Sequence, residues 1–412
     1  MSEIKIEFVQ LEQQLEMLTI MLDRPLYKGD ELAITIKYYG NIITKGSVGV
    51  FLASYLETNK ETNEGMRKFL VSTMFQPHFA RRMVPCFDEP QFKAIWKVEV
   101  IHPSLLNAIS NGKILQIEAL SNGWTKTSFD VTPIMSSYLL AVAITEFEFE
   151  DVQTKNCTLR FWAQDTNNSR FKRFKSISKT VFDYLSDYFG MNFSLEVLNS
   201  VIIPTELKFT GMENWGLISY QNKTILLDDS IPLNFRSMVH IITHELVHQW
   251  IGNIVTYETF KQLWLNEGIA EFITDITTEI LFPEAQLNKH FFLRWQRIAI
   301  GVDYNNYKYP LENDHDDLRS YPKHLYLAYK KGYGIEKMIY HILGPEVFKS
   351  SIREYLKAFK FSNVNSDKYF SILQLNADRN NITVNFDLFK NEWVLMDVQL
   401  YTPDELTTKL LL

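Results

Sequence analysis

The order of apolar and polar residues along the chain changes near residue 150. Before this point the pattern has the two-residue period of β-strands, as in 96–100, where Trp and two Val alternate with Lys and Glu. The run 138–144 is continuously apolar, which is typical of a buried strand. The dipeptide Asn122-Gly123 predicts a β-hairpin. We therefore expect a β-rich domain over residues 1–150.

In the second part of the chain, apolar residues return every three to four positions, which is the period of an amphipathic helix. The segment from about Asn234 to Ile251 predicts one such helix, and Gly252 is a residue favoured just after a helix end. A second apolar stripe predicts a helix that packs on the core, formed by Phe348, Ile352, Tyr355, Leu356 and Phe359. We expect an α+β fold class, with a mainly α-helical domain over 151–400 and a C-terminal tail over 401–412.

The composition is that of a globular protein, with 46% hydrophobic residues among 412. The formal net charge is −7, and the Lys and Arg residues are interleaved with acids, which argues against a nucleic-acid partner. Only two cysteines occur, Cys86 and Cys157, so the chain has neither a disulfide framework nor a cysteine-based metal site. Whether these two cysteines pair stays open.

The sequence predicts no transmembrane segment, because no apolar run reaches about 18 residues. The first residues, 1–8, lack the basic and apolar regions of a signal peptide. We therefore expect a cytoplasmic protein. The alternative is an extracellular or membrane-associated location, if the N-terminus is truncated.

The most specific chemical signal is His-Glu-Leu-Val-His at 244–248, followed nineteen residues later by Glu267. On a helix, positions i and i+4 share a face, so His244 and His248 can direct their imidazoles at one metal ion. A catalytic zinc ion typically takes three protein ligands, and Glu267 is the candidate for the third. Glu245 lies beside this face and can take a proton from a zinc-activated water. The motif predicts one Zn²⁺ per chain and the hydrolysis of an amide or ester.

Two further motifs accompany the zinc motif: Gly-Met-Glu-Asn-Trp-Gly at 211–216 and Leu-Trp-Leu-Asn-Glu-Gly at 263–268. Together the three closely resemble the M1-type zinc aminopeptidases, the gluzincins that include aminopeptidase N and leukotriene A4 hydrolase. The resemblance covers nearly the whole chain. It implies a β-rich N-terminal domain, a thermolysin-like catalytic domain, and peptide substrates with a free N-terminus.

The resemblance also implies roles for individual residues. It assigns binding of the substrate's amino end to four residues of the first motif: Gly211, Met212, Glu213 and Asn214. Glu213 would hold the α-amino group through a charge-assisted hydrogen bond, and Gln76 matches a second amine-binding position. Tyr329, in Tyr-Lys-Lys-Gly, matches the family tyrosine whose hydroxyl stabilises the oxyanion as a catalytic group.

Several features depart from the family pattern. Family members usually begin with more strands than this chain can supply, and most continue into a large helical domain that covers the active site. The resemblance therefore implies an open cleft, which a partner chain could cover. Thr-Phe-Lys-Gln at 259–262 stands where the family commonly has Trp-Trp-Asn-Asp, and Lys330 replaces an acid next to Tyr329.

The leading hypothesis is a zinc metallo-aminopeptidase. One alternative is a catalytically weak or inactive paralogue that binds peptides or a partner protein. A further alternative is an endopeptidase or epoxide hydrolase that uses the same zinc site.

Overall fold

A computed structural model describes residues 4–58, 65–228, 230–286, 310–312 and 321–395 of the chain. Strands dominate as far as residue 163 and helices after it, which confirms the predicted α+β fold class. The predicted tail at 401–412 lies outside the described residues. The strands of the first part are β1 (Ile6–Glu12), β2 (Met17–Leu22), β3 (Gly49–Thr58), β4 (Gly65–Met74), β5 (Glu99–Pro103), β6 (Asn107–Ser110), β7 (Ile114–Ala119), β8 (Trp124–Phe129), β9 (Val142–Thr145), β10 (Glu148–Gln153) and β11 (Thr158–Ala163).

The first nine strands form antiparallel sheets. Strands β1 and β2 pair with each other, a second sheet has the order β3-β4-β9-β6, and a third has the order β5-β8-β7. The predicted hairpin is confirmed, because β7 and β8 are joined at Asn122 and Gly123, whose φ angles are +61° and +78°. Asn and Gly are the residues that adopt positive φ at low cost.

The strand predicted at 96–100 begins three residues later, at Glu99, and ends at Pro103. The run 138–144 is buried as far as residue 143 and half-buried at Ile144, and only its last three residues belong to a strand. A 3-10 turn, Ser137–Leu139, precedes β9. Both cysteine thiols are free; Cys157 is buried and Cys86 half-buried.

The second part of the chain carries a sheet and most of the helices. Its elements are α1 (Ser169–Phe189), β12 (Val197–Ile203), β13 (Gly211–Met212), β14 (Leu217–Gln221), α2 (Asn222–Ile225), α3 (Pro232–Val247), β15 (Thr256–Tyr257), α4 (Trp264–Leu281), α5 (Tyr321–Leu343), α6 (Pro345–Ala358), β16 (Asn363–Val364), α7 (Ser366–Arg379) and α8 (Phe386–Lys390).

The five-stranded sheet has the order β10-β11-β12-β14-β13 and ends in the short strand β13. Strands β11, β12 and β14 are parallel, whereas β10 and β13 run antiparallel to their neighbours. Because β10 begins at Glu148, this sheet starts just before residue 150, the predicted domain boundary. That boundary stays a prediction.

Helix α1 is fixed at both ends by local chemistry. The side chain of Asn168 accepts a hydrogen bond from the backbone N–H of Arg170, and Gly190 ends the helix with φ +62°. Its apolar face packs against the zinc-motif region, where Trp250 lies against Phe182 and Phe189 at ring distances of 5.5 and 5.3 Å. This aromatic cluster holds the helix that carries the zinc motif in place.

Helix α3 begins at Pro232, a residue suited to the first turn because its missing N–H would have no partner there. The predicted helix end at Ile251 was wrong, since α3 ends at Val247. The following N–H groups, of Gln249 and Trp250, bond to carbonyls three residues back instead of four. Gly252, with φ +106°, turns the chain away after these tightened turns.

Helices α4 and α5 cross at two glycines. A Cβ on Gly268 would lie 2.8 Å from the Cα of Gly332, so the two backbones touch directly. Only residues without a side chain allow this approach. The crossing brings the residue before Gly268, Glu267, close to Tyr329, one turn before Gly332.

Helix α6 is the helix that the apolar stripe predicts. Phe348, Ile352, Tyr355 and Leu356 are all buried in the core, and Phe359 caps the helix at its end. The prediction is confirmed because the period of about 3.6 residues places these side chains on one face.

Candidate active site

The predicted zinc ligands meet at one point. His244 and His248 lie one turn apart on and just after α3, and their Nε2 atoms are 3.0 Å from each other. Glu267 enters from the first turn of α4, with Oε2 at 3.4 Å from the Nε2 of His244 and 3.2 Å from that of His248. All three side chains are buried. The ligand atoms of the set lie within 4.8 Å of one another.

These residues fit a tetrahedral zinc ion. With Zn–N distances of about 2.0–2.1 Å, ligand atoms of a tetrahedral site lie roughly 3.3 Å apart, close to the separations observed here. His248 bonds through Nδ1 to the carbonyl oxygen of Ile251 at 3.0 Å, which leaves Nε2 free to accept a metal. Buried Oε2 of Glu267 has no hydrogen-bond partner among the described residues. A cation between the three side chains would satisfy it.

The carboxylate of Glu245 lies against the glycine of the strand motif. A Cβ on Gly211 would fall 2.2 Å from Oε1 of Glu245, so any larger residue at position 211 would displace the predicted base. Burial, with the nearby charge of Glu213, raises the pKa of Glu245 well above its ordinary value. A carboxyl with a raised pKa is suited to accept a proton and return it.

Glu213 is held by its backbone and leaves its carboxylate available. The side chains of Gln249 and Asn253 donate to its carbonyl oxygen at 3.1 and 2.9 Å. Within the part of the chain that the structure describes, Oε1 of Glu213 and Nε2 of Gln76 are buried without a hydrogen-bond partner. Oε1 of Glu213 can accept a hydrogen bond from an amine at this site, and the amide of Gln76 lines the same cleft.

Tyr329 packs over the zinc motif. Its ring stacks on that of His244 at 5.6 Å, with an angle of 24° between the planes. Burial, with the negative charge of Glu267 adding to it, raises the pKa of the Tyr329 hydroxyl well above its ordinary value. The hydroxyl therefore stays protonated at neutral pH and can donate a hydrogen bond.

The structure brings most of the predicted residues to one cleft with a volume of about 650 Å³. Gln76, Gly211, Glu213, His244, Glu245 and Tyr329 line it. Met212 and Asn214 point into the interior instead. Met212 is fully buried in the core, and the amide of Asn214 donates to the carbonyl oxygen of Tyr138 at 3.2 Å.

Comparison with known proteins identifies the family. The family model described as the peptidase family M1 domain matches residues 175–393, more than half of the chain, and that of the peptidase M1 N-terminal domain matches residues 1–139. The chain belongs to the M1 peptidase family. Its residues 175–393 thus carry the zinc motif and its surroundings within a recognised peptidase domain.

Individual relatives of this M1 chain are named aminopeptidases. Aminopeptidase N of Haemonchus contortus is 31% identical over 377 residues, which are 90% of this chain and 38% of the relative. Glutamyl aminopeptidase of Homo sapiens is 30% identical over 362 residues, 84% of this chain and 36% of the relative. Aminopeptidase Q of Mus musculus is 28% identical over 386 residues, 91% of this chain and 68% of the relative. The chain spans little more than a third of the length of the first two.

Two residues of the M1 cleft, Glu271 and His240, were missed in the sequence analysis, and both belong to a cluster with Lys330. Glu271, one turn after Glu267, lies 2.9 Å from Nε2 of His240 and 3.7 Å from Nζ of Lys330. Burial alone would raise the pKa of Glu271, but Lys330 and His240 outweigh it and lower the pKa to about 2. The signal for His240 was available, because it lies four residues before His244 on the same helix face.

Residues 259–262, whose sequence differs from the common family pattern, have a local structural role. Thr259 and Gln262 form a capping box at a 3-10 turn before α4, in which Oε1 of Gln262 accepts from the backbone N–H of Thr259 at 3.3 Å. Gln262 thus positions the start of the helix that carries Glu267 through the backbone of that turn.

Among the helices that the structure describes, none has the length and apolar character needed to span a membrane. The predicted cytoplasmic location stays a prediction.

Proposed function

We propose that this chain is a zinc aminopeptidase that removes the first residue from peptides with a free N-terminus. One observation carries the proposal: Glu213, whose buried Oε1 atom has no hydrogen-bond partner among the described residues, lines the same cleft as Glu245 and His244, one of the three candidate zinc ligands. Burial raises the pKa of Glu213 to about 7, and the cationic α-amino group of a peptide would favour its ionised form through a charge-assisted hydrogen bond. The names of the relatives agree with this activity.

The residues of the cleft divide the reaction between them. One zinc ion, when bound by His244, His248 and Glu267, would make a water molecule more acidic and polarise the peptide carbonyl. Glu245 takes the proton from the attacking water and passes it to the departing amine, as its raised pKa allows. The Tyr329 hydroxyl donates a hydrogen bond to the oxygen that becomes negative as the carbonyl is attacked.

The amine site decides where the peptide is cut. Glu213 and Gln76 hold the α-amino group and fix the first residue of the substrate in the cleft. Strand β13, at the edge of its sheet, offers backbone groups of 211–212 to which an extended peptide could pair. A peptide with a blocked N-terminus would bury Glu213 without its cationic partner, so we expect such peptides to be poor substrates.

The experiment is a panel of aminoacyl-coumarin substrates and their N-acetyl counterparts, run on protein with measured zinc content. We expect hydrolysis of free aminoacyl substrates only, a loss of at least about 100-fold in kcat for Glu245→Gln, and a large rise in KM for Glu213→Gln. Glu148→Gln, at an exposed position on β10, is the matched control. Zinc-loaded protein that releases no amino acid, or that behaves like its Glu245→Gln variant, would refute the proposal.

The alternative function is a peptide-binding protein that retains the zinc site without turnover. The replacement of an acid by Lys330 beside Tyr329 motivates it, because the change alters the charge next to the oxyanion donor. Zinc-dependent peptide binding without hydrolysis in the same panel would favour this alternative. A partner chain that covers the cleft stays a prediction.

A further inference from the structure

The cleft runs along helix α3, from its C-terminal end toward its N-terminal end. The amine site lies at the C-terminal end of this helix, because the carbonyl of Glu213 is bonded by Gln249 and Asn253, just beyond the zinc ligands. The cleft then passes His244 and continues along the same face to His240 and Arg236. A substrate held by its amine at one end therefore extends its later residues toward the N-terminal end of α3.

Arg236 carries a positive charge on that far part of the cleft. Its Nε donates to the carbonyl oxygen of Ala285 at 2.7 Å, and no carboxylate pairs with it among the residues that the structure describes. Burial lowers the pKa of Arg236, but a guanidinium remains charged at neutral pH.

The acidic residue nearest to this region does not cancel the charge of Arg236. Glu271 is the carboxylate that lines the far part of the cleft, and it is already matched by Lys330 and His240 at 3.7 and 2.9 Å. The far part of the cleft is therefore positive overall in the described residues. A substrate carboxylate there would meet a cation and no unmatched anion.

The distances place Arg236 beside the residues that follow the scissile bond. His244 and Arg236 are eight residues apart, which is about 12 Å along the helix axis at about 1.5 Å per residue. An extended peptide advances about 3.3 Å per residue. A distance of about 12 Å therefore corresponds to between three and four extended residues. Because the Arg236 side chain lines the cleft, it can face the stretch that the second to fourth residues of the substrate occupy.

We propose that Arg236 selects peptides with a carboxylate between the second and the fourth residue. The carboxylate can be the side chain of Asp or Glu, or the free C-terminus of a peptide of two to four residues. This inference rests on the proposed aminopeptidase function, because it uses the amine site to fix the register of the peptide. It assigns a specificity-determining role to a residue outside the reacting groups.

Equilibrium binding tests the inference without turnover. The full chain with Glu245→Gln and bound zinc is titrated with pentapeptides that carry a C-terminal fluorescein and differ only by Asp or Asn at residue 2, 3 or 4. A second pair compares a dipeptide with its amide by competition, which distinguishes a side-chain carboxylate from a free C-terminus. The added variants are Arg236→Gln, Arg236→Lys and the exposed control Lys357→Gln on α6.

We expect the Asp peptide, or the free dipeptide, to bind about three- to tenfold more tightly than its neutral counterpart, as is typical of a partly exposed ion pair. Arg236→Gln should reduce this ratio to about one, Arg236→Lys should retain most of it, and Lys357→Gln should leave it unchanged. The ratio should also fall as salt is raised. The inference would be overturned if the Glu245→Gln protein showed no preference for a carboxylate. It would also be overturned if adding Arg236→Gln left the ratio of the affinities for the Asp and Asn peptides unchanged.

Hydrolysis by the chain with its native Glu245 separates the two proposals. If the peptides are cleaved but Asp and Asn peptides bind equally, the aminopeptidase proposal stands and the role of Arg236 falls. If nothing is cleaved but the Arg236-dependent preference persists, the activity falls and the role of Arg236 stands.

Discussion

Glu336 of helix α5 is a buried carboxyl that does not line the cleft, and we predict that it makes the stability of the protein fall with rising pH. Its side chain is fully buried, and the hydroxyl of Tyr369 donates to Oε2 at 2.7 Å. Its Oε1 atom has no hydrogen-bond partner in the described ranges of the chain. Burial raises the pKa of Glu336 from about 4.5 to about 8, while the Tyr369 hydroxyl opposes part of this rise.

The sign and size of the effect follow from this shift. Between about pH 4.5 and 8, the folded protein keeps the proton on Glu336, whereas the unfolded chain releases it. The contribution is therefore fully present below about pH 4.5 and is lost as the pH rises through about 8. Each pH unit of this window is worth about 1.4 kcal/mol, so the free energy of unfolding should fall by about 3 to 5 kcal/mol across it.

Urea unfolding, followed by tryptophan fluorescence from pH 5 to pH 9, measures this loss. Glu336→Gln keeps an acceptor for the Tyr369 hydroxyl but cannot ionise. Between pH 5 and pH 9, its free energy of unfolding should therefore fall by about 3 to 5 kcal/mol less than that of the wild type. Glu148→Gln, on an exposed strand position, is the control for removing one carboxylate and should follow the wild-type curve. If wild type and Glu336→Gln lose equal stability over this range, Glu336 is not neutral in the folded protein and the reasoning fails.

Three further predictions concern the site. Tyr329→Phe should lower kcat by about 100-fold or more with little change in KM, because only the hydrogen bond to the developing oxyanion is removed; an unchanged kcat would contradict this role. Gly332→Ala should destabilise the fold by about 1 to 3 kcal/mol and lower kcat, since its Cβ would lie 3.0 Å from Gly268. Gly334→Ala, whose Cβ meets no described atom within 4 Å, should be neutral or stabilising, and urea unfolding of both variants checks the contrast. Removal of zinc with a chelator should lower the melting temperature by several degrees and its return should restore it, whereas His248→Ala should show no zinc-dependent shift in calorimetry.

The parts of the site that depend on local spacing could be predicted from the sequence. His244 and His248 converge because a helix places positions i and i+4 on one face. This geometry depends only on the local helical structure of their segment. The end of the same helix was less predictable. It falls at Val247, because the N–H groups of Gln249 and Trp250 bond three residues back, at the point where Trp250 packs on α1.

The parts that depend on contacts distant in sequence required the family resemblance. Tyr329 reaches His244 only because α4 and α5 cross at Gly268 and Gly332. The hydrophobic periodicity of α4 or of α5 does not predict where the two helices cross. Gln76 likewise reaches the cleft from the β-rich part of the chain, after a turn that follows β4. The resemblance supplied these positions, and the packing supplies their physical reason.

Arg236 and His240 were missed although a local signal existed. They lie eight and four residues before His244, so the face that carries the first zinc ligand extends two turns toward the start of α3. Extending the face of a predicted metal-binding helix in both directions would have found them. Glu271 follows the same rule on α4, one turn after Glu267.

The contact between Gly268 and Gly332 also determines when during folding the site becomes complete. Helix α3 and the residue after it carry two candidate zinc ligands and the predicted base within five consecutive residues, so this half can assemble as soon as the helix forms. Tyr329 joins it only after the chain has closed a loop of 63 residues between the two glycines. A chain that has folded only as far as α4 can therefore bind a metal ion but lacks the hydroxyl proposed to stabilise the oxyanion. The proposed peptide cleavage would therefore require that α4 and α5 have packed against each other.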